Sequence, residues 1–255
     1  MKNIQLLVIF IFPLVCLAQL PPLASKKYSW VDPQTSQADV GTSILFEGSG
    51  HDMEFVQVSA NAIKLTSKNV SMKVPDNEEH LIIVKAGTLT IALKDSLWKI
   101  GGGSIALLIP GEKYSLRNGG VESCTYYLMK YRSKLPVDNA RGKASGGSFV
   151  KDWNKVVFKP HDRGGVRSYF ERATAMSKRF EMHVTTLKPG LRSHAPHTHD
   201  AEEIILVIEN KNEMQIDDKF YKGGTGDIYY IGSNLLHGIR NNDTGTCSYF
   251  AFQFE

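Results

Sequence analysis

Residues 79–110 read EHLIIVKAGTLTIALKDSLWKIGGGSIALLIP, and residues 202–233 read EEIILVIENKNEMQIDDKFYKGGTGDIYYIGS. Aligned without a gap at an offset of 123 residues (202 minus 79), the two stretches share glycines and apolar positions. The match runs from about residue 74 to residue 127, and it places Arg117-Asn118 on Arg240-Asn241 farther along. Self-similarity at a fixed long offset indicates a duplicated structural unit. The chain therefore contains two copies of one unit.

Each copy reads as a series of short β-strands. Apolar runs and alternating stretches are separated by glycine-rich or proline-containing turns such as Gly101-Gly102-Gly103 and Pro110-Gly111. Short strands at regular spacing with turn signals predict an all-β sandwich or barrel. The segments predicted as strands are residues 81–84, 88–93, 105–109 and 126–131 in the first copy, and residues 203–208, 213–216, 228–231 and 247–254 in the second.

The first residues have the composition of an export signal. Lys2 precedes an almost continuous apolar run over residues 4–17, and the small residue Ala18 follows, with Cys16 two positions before it. This pattern predicts a signal peptide over residues 1–18 and an exported protein, periplasmic or secreted. A transmembrane anchor and lipidation of Cys16 are the alternatives. The apolar run is short for a bilayer, so no stable membrane insertion is expected.

The mature chain is predicted to divide into two domains and a connection. The N-terminal barrel covers residues 19–132, a linker with a strand extension covers residues 133–165, and the C-terminal barrel covers residues 166–255. The connection is rich in Gly, Ser and Lys at its start and shows no hydrophobic period. The net charge is only +4 and no Lys/Arg stripe is present, so nucleic acid is not an expected partner.

Three histidines and one glutamate in the second copy have the spacing of metal ligands. His197 and His199 are two residues apart, so an extended chain turns both imidazoles to the same side. Glu203 follows four residues later at the start of a predicted strand, and His237 follows a glycine-containing turn. Three imidazoles and one carboxylate suit a divalent transition ion. The competing interpretations are ordinary surface histidines, and Glu202 as the ligand in place of Glu203.

These residues resemble the two motifs of the cupin family. The first motif, Gly, His-x-His, Glu and Gly, corresponds to Gly190, His197, His199, Glu203 and Asn210, and the second corresponds to Gly226, His237 and Asn241. The departures fall on turn residues: Asn210 replaces the last glycine of the first motif, Gly232 and Asn234 replace Pro and Gly in the second, and Gly190 lies one residue too far from His197.

The resemblance covers nearly all of the mature chain and implies two tandem cupin barrels of the double-stranded β-helix or jelly-roll type. It also implies a divalent transition metal (Mn, Fe, Zn or Ni), a small-molecule substrate, and a monomer or homodimer. At the repeat offset, the four ligand positions fall on Val74, Asp76, His80 and Tyr114 in the first copy. We therefore expect the metal site only in the C-terminal barrel.

Three residues near the predicted ligands are candidates for moving protons, namely Glu202, His194 and Tyr229. Arg240 could bind an anionic substrate, but Arg240 and Asn241 recur beside the degenerate site as Arg117-Asn118, which favours a structural role. Cys124 and Cys247 occupy equivalent positions and read as buried small side chains, although an oxidising compartment would permit a bridge.

The resemblance implies a metal-dependent enzyme acting on a small polar organic acid, a sugar acid, or a ureido or amino acid derivative. Aminohydrolase, isomerase and dioxygenase reactions all suit such a site, because fold and ligands do not fix the reaction. Among two-barrel cupins, the chain is distantly similar to ureidoglycine aminohydrolases. Those enzymes have a Glu-x-His-x3-His pattern and a distant Gln, whereas this chain has a His-x-His-x3-Glu pattern and a distant His. The alternative is a non-catalytic ligand-binding, storage or sensor cupin.

Overall fold

A computed structural model describes residues 20–33, 40–65 and 68–255. The predicted signal peptide over residues 1–18 lies outside the described residues. Within the described part of the chain, no helix has the length and apolar character that crossing a membrane would require.

Strands account for almost all of the regular structure. The N-terminal half contains β1 (Lys26–Tyr28), β2 (Val40–Gly48), β3 (Met53–Ile63), β4 (Val70–Lys73), β5 (Glu79–Ala86), β6 (Thr88–Leu93), β7 (Ser96–Gly101), β8 (Ile105–Leu108), β9 (Lys113–Asn118) and β10 (Cys124–Ser133). A connection follows with α1 (Asn139–Ala144), β11 (Phe149–Lys151) and a 3-10 turn (Trp153–Lys155). The C-terminal half contains β12 (Lys159–His161), β13 (Gly164–Arg172), β14 (Phe180–Leu187), β15 (Glu202–Glu209), β16 (Asn212–Ile216), β17 (Lys219–Gly223), β18 (Ile228–Ile231), β19 (His237–Asn241) and β20 (Cys247–Phe254).

Each half is built from one large and one small antiparallel sheet. The large sheets have the orders β11-β8-β5-β10-β3-β2 and β1-β18-β15-β20-β14-β13-β12, and the small sheets have the orders β4-β9-β6-β7 and β17-β16-β19. The predicted all-β, two-barrel architecture is confirmed. The predicted strands at residues 88–93, 228–231 and 247–254 have the observed bounds.

The central strands β5 and β15 are buried on both faces, which explains their continuous apolar runs. In β5, Ile82 and Val84 point into the core of the N-terminal barrel, while Leu81 and Ile83 point into a cluster shared by both halves. In β15 the same alternation places Ile205 inside the C-terminal barrel. The large sheets therefore pack face to face, and burial of their apolar side chains joins the barrels.

The two halves exchange strands reciprocally. β1 precedes the N-terminal barrel but pairs with β18 of the C-terminal sheet, and β11 precedes the C-terminal barrel but pairs with β8 of the N-terminal sheet. This exchange crosses the predicted domain boundaries. β1 lies within the predicted N-terminal domain (residues 19–132) but joins the C-terminal sheet, and β11 lies within the predicted linker (residues 133–165) but joins the N-terminal sheet. These strands have three residues each, too few for a recognisable alternation.

Two buried glutamates at equivalent repeat positions hold the hairpin turns of the opposite half. Glu79 accepts hydrogen bonds from the backbone N–H of Ala175 (2.7 Å) and the hydroxyl of Tyr131 (2.6 Å). Ala175 lies in the turn between β13 and β14, so this contact crosses the interface between the barrels. Burial raises the pKa of Glu79, and the hydrogen bonds partly oppose that rise.

Glu202 makes the reciprocal contact and does not have the surroundings predicted for a proton-transfer group. Its carboxylate accepts from the backbone N–H groups of His51 (2.6 Å) and Asp52 (3.1 Å), in the turn between β2 and β3. The hydroxyl of Tyr230 also donates to it. Adjacent residues on a strand face opposite ways, so Glu202 faces the interface of the barrels while Glu203 faces the C-terminal barrel. Glu202 is fully buried in this structural contact.

The predicted structural role of the repeated asparagine is confirmed. The amide nitrogen of Asn241 donates to the carbonyls of Leu187 (3.0 Å) and Gly245 (2.8 Å). Asn118 makes the equivalent bonds to Ile63 (3.2 Å) and Glu122 (2.6 Å) in the first copy. The asparagine thereby fixes the same loop in both barrels.

The two cysteines are free and buried, each inside a different barrel. Burial raises the pKa of both thiols to about 12. They are therefore not bridged, and they act as small core side chains.

We predict that Glu202→Gln lowers the free energy of unfolding by about 2 kcal/mol, because an amide nitrogen then faces backbone N–H donors and leaves a buried group unsatisfied. Guanidinium-induced unfolding measures the change. Glu122→Gln, at an exposed position, is the matched control and should leave stability unchanged. Equal stability of the two variants would contradict the proposed contact.

Candidate metal centre

Three chain segments converge at the mouth of the C-terminal barrel. The loop between β14 and β15 carries His197 and His199, β15 carries Glu203, and β19 begins at His237. His197 and His237 form an isolated antiparallel bridge, in which each backbone N–H donates to the other residue's carbonyl, at 3.0 and 2.9 Å. This backbone pairing fixes the loop against β19 and brings residues distant in sequence together.

The three predicted histidine ligands lie close together, and Glu203 lies beside two of them. The candidate ligand nitrogens of His197, His199 and His237 all lie within 4.8 Å of one another. The Oε2 atom of Glu203 is 2.9 Å from Nε2 of His237 and 3.3 Å from Nε2 of His199. The structure therefore brings together all four residues that the sequence selected, and it places Glu203 rather than Glu202 beside the imidazoles.

Backbone carbonyls fix the tautomers of two of the imidazoles. Nδ1 of His199 lies 2.9 Å from the carbonyl of Ala201, and Nδ1 of His237 lies 2.8 Å from the carbonyl of Leu235. A carbonyl can only accept, so each Nδ1 carries the hydrogen and donates it. In the neutral rings, each Nε2 then presents a lone pair, and this orientation is typical of metal-binding histidines.

The donor set fits a cation on electrostatic grounds. Nε2 of His237 is buried without a well-formed hydrogen bond, although Glu203 Oε2 lies 2.9 Å away. Two acceptors that face each other repel unless a proton or a metal ion lies between them. Nδ1 of His197 is likewise buried, and none of the described residues forms a hydrogen bond with it. A divalent ion would satisfy these atoms, and the nitrogen-rich set with one carboxylate suits a transition metal.

The ionisable groups perturb one another strongly. Burial alone would raise the pKa of Glu203, but the neighbouring imidazoles of His199 and His237 outweigh it and lower that pKa to about 2. The hydrogen bond to Glu203 raises the pKa of His199, and burial together with the neighbouring histidines lowers the pKa of His197. The carboxylate therefore remains ionised.

A cavity of about 170 Å³ opens beside these residues. Its apolar wall includes Ile205, Met214 and Ile239, and its polar wall includes His194 and Gln253. Apolar surroundings with a few polar groups are typical of small-molecule sites.

His183 and Gln253 line the cavity and were not identified from the sequence. His183 lies on β14 with its Nδ1 3.1 Å from Glu181, and it lines the cavity. The amide nitrogen of Gln253 on β20 is 3.2 Å from Nε2 of His199. Tyr249 and Ala251 point into the barrel, and Gln253 is the next residue on the same face of β20. A polar residue at this otherwise inward-facing position was the sequence feature that could have identified it.

The three proton-transfer candidates have different positions. His194 lines the cavity, and its ring centroid lies 4.2 Å from that of His197. Tyr229 is fully buried in the barrel core, where its hydroxyl donates to Oδ1 of Asn212 at 2.6 Å. Neither Tyr229 nor Glu202 lines the cavity. Tyr229 and Tyr230 are adjacent and point to opposite faces of the strand, and the sequence did not show which of them packs in the barrel core.

The equivalent place in the N-terminal barrel contains polar side chains that contact one another. Nδ1 of His80 lies 3.0 Å from the hydroxyl of Tyr114, and its Nε2 lies 3.4 Å from Glu78. Glu78 also accepts from Arg132 at 3.0 Å. Among the described residues, the one group with metal-binding geometry is the C-terminal histidine cluster.

Comparisons with known proteins agree with this architecture. Residues 183–252 match the family model of a cupin domain, and this span includes all four predicted ligands. No curated protein sequence matches the chain. Solved structures match most of it. AerE from Microcystis aeruginosa has a TM-score of 0.66 at 17% identity, covering 89% of this chain and 98% of its own.

Two further structures are similar over comparable lengths. Protein Ylba from E. coli has a TM-score of 0.67 at 14% identity, over 88% of this chain and 87% of its own. A variant of the oxalate decarboxylase OxdC from Bacillus subtilis has a TM-score of 0.61 at 11% identity, over 91% and 78%. At these identities the likeness shows the fold, which is the two-barrel cupin fold, and not the reaction.

We predict that the full-length protein binds one divalent transition ion, and that His237→Ala weakens binding by at least about 100-fold, since loss of outer partners alone costs 10–100-fold in metal sites. Elemental analysis and titration with Mn²⁺ or Zn²⁺ measure the effect. His161→Ala removes an exposed histidine and serves as the control. Retention of the ion by His237→Ala would exclude this centre.

We predict that Tyr229→Phe lowers the free energy of unfolding by about 1 kcal/mol, through loss of one buried hydrogen bond, and leaves metal affinity unchanged. Thermal unfolding and the same metal titration provide the two readouts. Tyr221→Phe, a partly buried tyrosine packed against the same core, is the control for stability. A large loss of metal affinity in Tyr229→Phe would show that its hydroxyl belongs to the site.

Proposed function

We propose, from a two-barrel cupin fold with one histidine-rich centre, that this protein is an exported metal-dependent enzyme acting on a small polar organic acid. One observation carries the proposal: three imidazoles and the Glu203 carboxylate converge beside a small cavity. The acid can be a sugar acid or a ureido or amino acid derivative. The reaction is of the aminohydrolase, isomerase or dioxygenase type.

His197, His199, Glu203 and His237 would hold the ion, with Mn, Fe, Zn or Ni compatible with this donor set. When bound, such an ion supplies Lewis acidity to a substrate oxygen. The backbone carbonyls of Ala201 and Leu235 keep His199 and His237 in the tautomer that binds a metal. The outer wall of the cavity, including Gln253 and His183, would orient the substrate.

The cavity limits the substrate by size and by charge. Its volume of about 170 Å³ excludes large molecules. Histidine side chains dominate its polar wall, and Glu203 already faces His199 and His237. A bound divalent ion would leave this wall positive, so a carboxylate is a suitable substrate group.

His194 is the best placed of the candidate proton-transfer groups. It lines the cavity, and its Nδ1 donates to the carbonyl of Ala195 at 2.9 Å. In the neutral ring, Nε2 is therefore the acceptor, so His194 has the tautomer of a general base. Its position on an exposed loop allows exchange of the proton with solvent.

Substrate screening with the metal-loaded protein tests the proposal. The panel contains small hydroxy, keto and ureido acids, and NMR follows consumption of each compound while an electrode follows oxygen. We expect turnover of a small carboxylate that disappears in His237→Ala and persists in His161→Ala. Larger homologues of the same acid should fail, because the cavity cannot hold them.

Binding of the acid without turnover, in protein loaded with each of the candidate metals, would contradict the enzyme proposal and favour a non-catalytic binding or sensor role. Oxygen uptake together with substrate loss would select the oxygenase reaction among the three. His194→Gln should lower the rate and leave metal content unchanged, since this residue is proposed to move protons and not to bind the ion.

A further inference from the structure

A second cavity, of about 300 Å³, lies between the two barrels and not inside either one. Its lining comes in repeat-related pairs. Val84 and Lys85 face it from the first copy, and Val207 and Ile208 face it from the second. The glycine turns before β8 and β18 complete the pairing, with Gly103 on one side and Gly226 on the other. The cavity therefore lies on the pseudo-twofold axis that relates the halves.

Two β-bulges open this space. The pairing between β5 and β10 skips Lys85, since Ala86 pairs with Thr125 and Val84 pairs with Tyr126. The pairing between β15 and β20 skips Ile208 at the equivalent place. A bulge bends its strand and redirects a side chain, and bulges are frequent beside binding sites. Here the bulges turn Lys85 and Ile208 toward the same space.

The exchanged strands place one tryptophan on the cavity wall and a second one behind it. Trp30 follows β1 and Trp153 follows β11, and the two are separated by the repeat offset of 123 residues (153 minus 30). Trp153 lines the cavity against Gly103, and Trp30 contacts Gly226. Both glycines have a positive φ, and a Cβ there would meet the neighbouring indole. Tyr127 packs edge-on against Trp30 with ring centroids 4.8 Å apart.

The symmetry is broken by one charge. Lys85 is half-buried, and its Nζ lies 4.6 Å from the centre of the Trp30 ring, while the equivalent residue on the other side is the apolar Ile208. Among the described residues, none of the ion pairs includes Lys85. A partly desolvated ammonium group beside aromatic rings is stabilised by an anion. The cavity thus combines an apolar interior with one unpaired positive charge.

We propose that the cavity between the barrels binds a small amphipathic carboxylate. Its aromatic or branched aliphatic body would lie against Trp153, Tyr127 and Val207, and its carboxylate would pair with Lys85. The volume lies at the lower end of small-molecule sites, and the mainly apolar lining with a few polar groups is typical of them. This site is separate from the histidine centre, because none of its lining residues belongs to that centre's cavity.

Calorimetric titration with phenylacetate and with cyclohexanecarboxylate tests the proposal, and the neutral amide phenylacetamide serves as the charge control. Intrinsic fluorescence gives an independent readout, because Trp153 lines this cavity and Trp30 packs against Tyr127 and Lys85 of its wall. We expect saturable binding of the carboxylates with a change in tryptophan emission. Lys85→Met should weaken carboxylate binding at least tenfold, which corresponds to the loss of one charge-assisted hydrogen bond, and should leave the weaker amide binding unchanged.

Matched variants separate this site from its alternatives. Lys99→Met removes an exposed lysine on β7 and should bind as the parent does. The same titrations in His237→Ala exclude binding at the metal centre, so the result does not depend on the proposed enzyme activity. Thr225→Phe, on the cavity wall, should block both carboxylates.

Absence of binding at millimolar concentration, or equal affinity of Lys85→Met and the parent, would overturn the proposal. Loss of binding in His237→Ala with retention in Lys85→Met would also overturn it, by assigning the carboxylate to the metal centre.

Discussion

Burial of the central strands on both faces is the constraint on which the rest of the structure depends. β5 and β15 each supply one face to a barrel interior and the other to the cluster between the barrels. Because both faces are buried, the strands cannot shift register by one residue without exposing apolar side chains to the wrong surroundings or burying a charge. The fixed register places Glu203 inside the C-terminal barrel and Glu202 toward the opposite half. Two adjacent carboxylates thereby acquire different tasks, one in the candidate metal centre and one in the contact that joins the barrels.

The repeat made much of this structure predictable. Matching glycines and apolar positions predicted the strands of both halves, because period-two burial and turn chemistry are local properties. The ligand residues were predicted from the spacing of the histidines and from the resemblance to the cupin motifs. The exchange of β1 and β11 was not predictable, since three-residue strands carry too little pattern. The task of Glu202 was equally hidden, because its partners are backbone N–H groups about 150 residues away. Every residue except proline has a backbone N–H, so residue types do not show which carboxylates are held by backbone donors. From sequence alone, such a carboxylate cannot be distinguished from a catalytic one.

Comparison of the two copies shows how one barrel position can carry different chemistry. Where the second copy has Glu203 and His237, the first has His80 and Tyr114, which hydrogen-bond directly to each other. A tyrosine hydroxyl and an imidazole can satisfy each other, whereas converging imidazole lone pairs and a carboxylate need a cation. The polar residues at the first position therefore pair with each other, and those at the second converge on a space that a cation would fill. The duplication supplies an internal reference against which the specialised site stands out.

Because β1 and β11 are exchanged, each half of the molecule depends on the other to complete its sheet. Each barrel is completed by a segment that lies beyond its own boundary, so neither half contains all of its sheet when separated from the other. An isolated half would expose an unpaired strand edge and the apolar face that its partner covers, a combination that favours aggregation. Duplication followed by exchange thus turns two modules into one indivisible folding unit. Recombination that cut between the copies would destroy both.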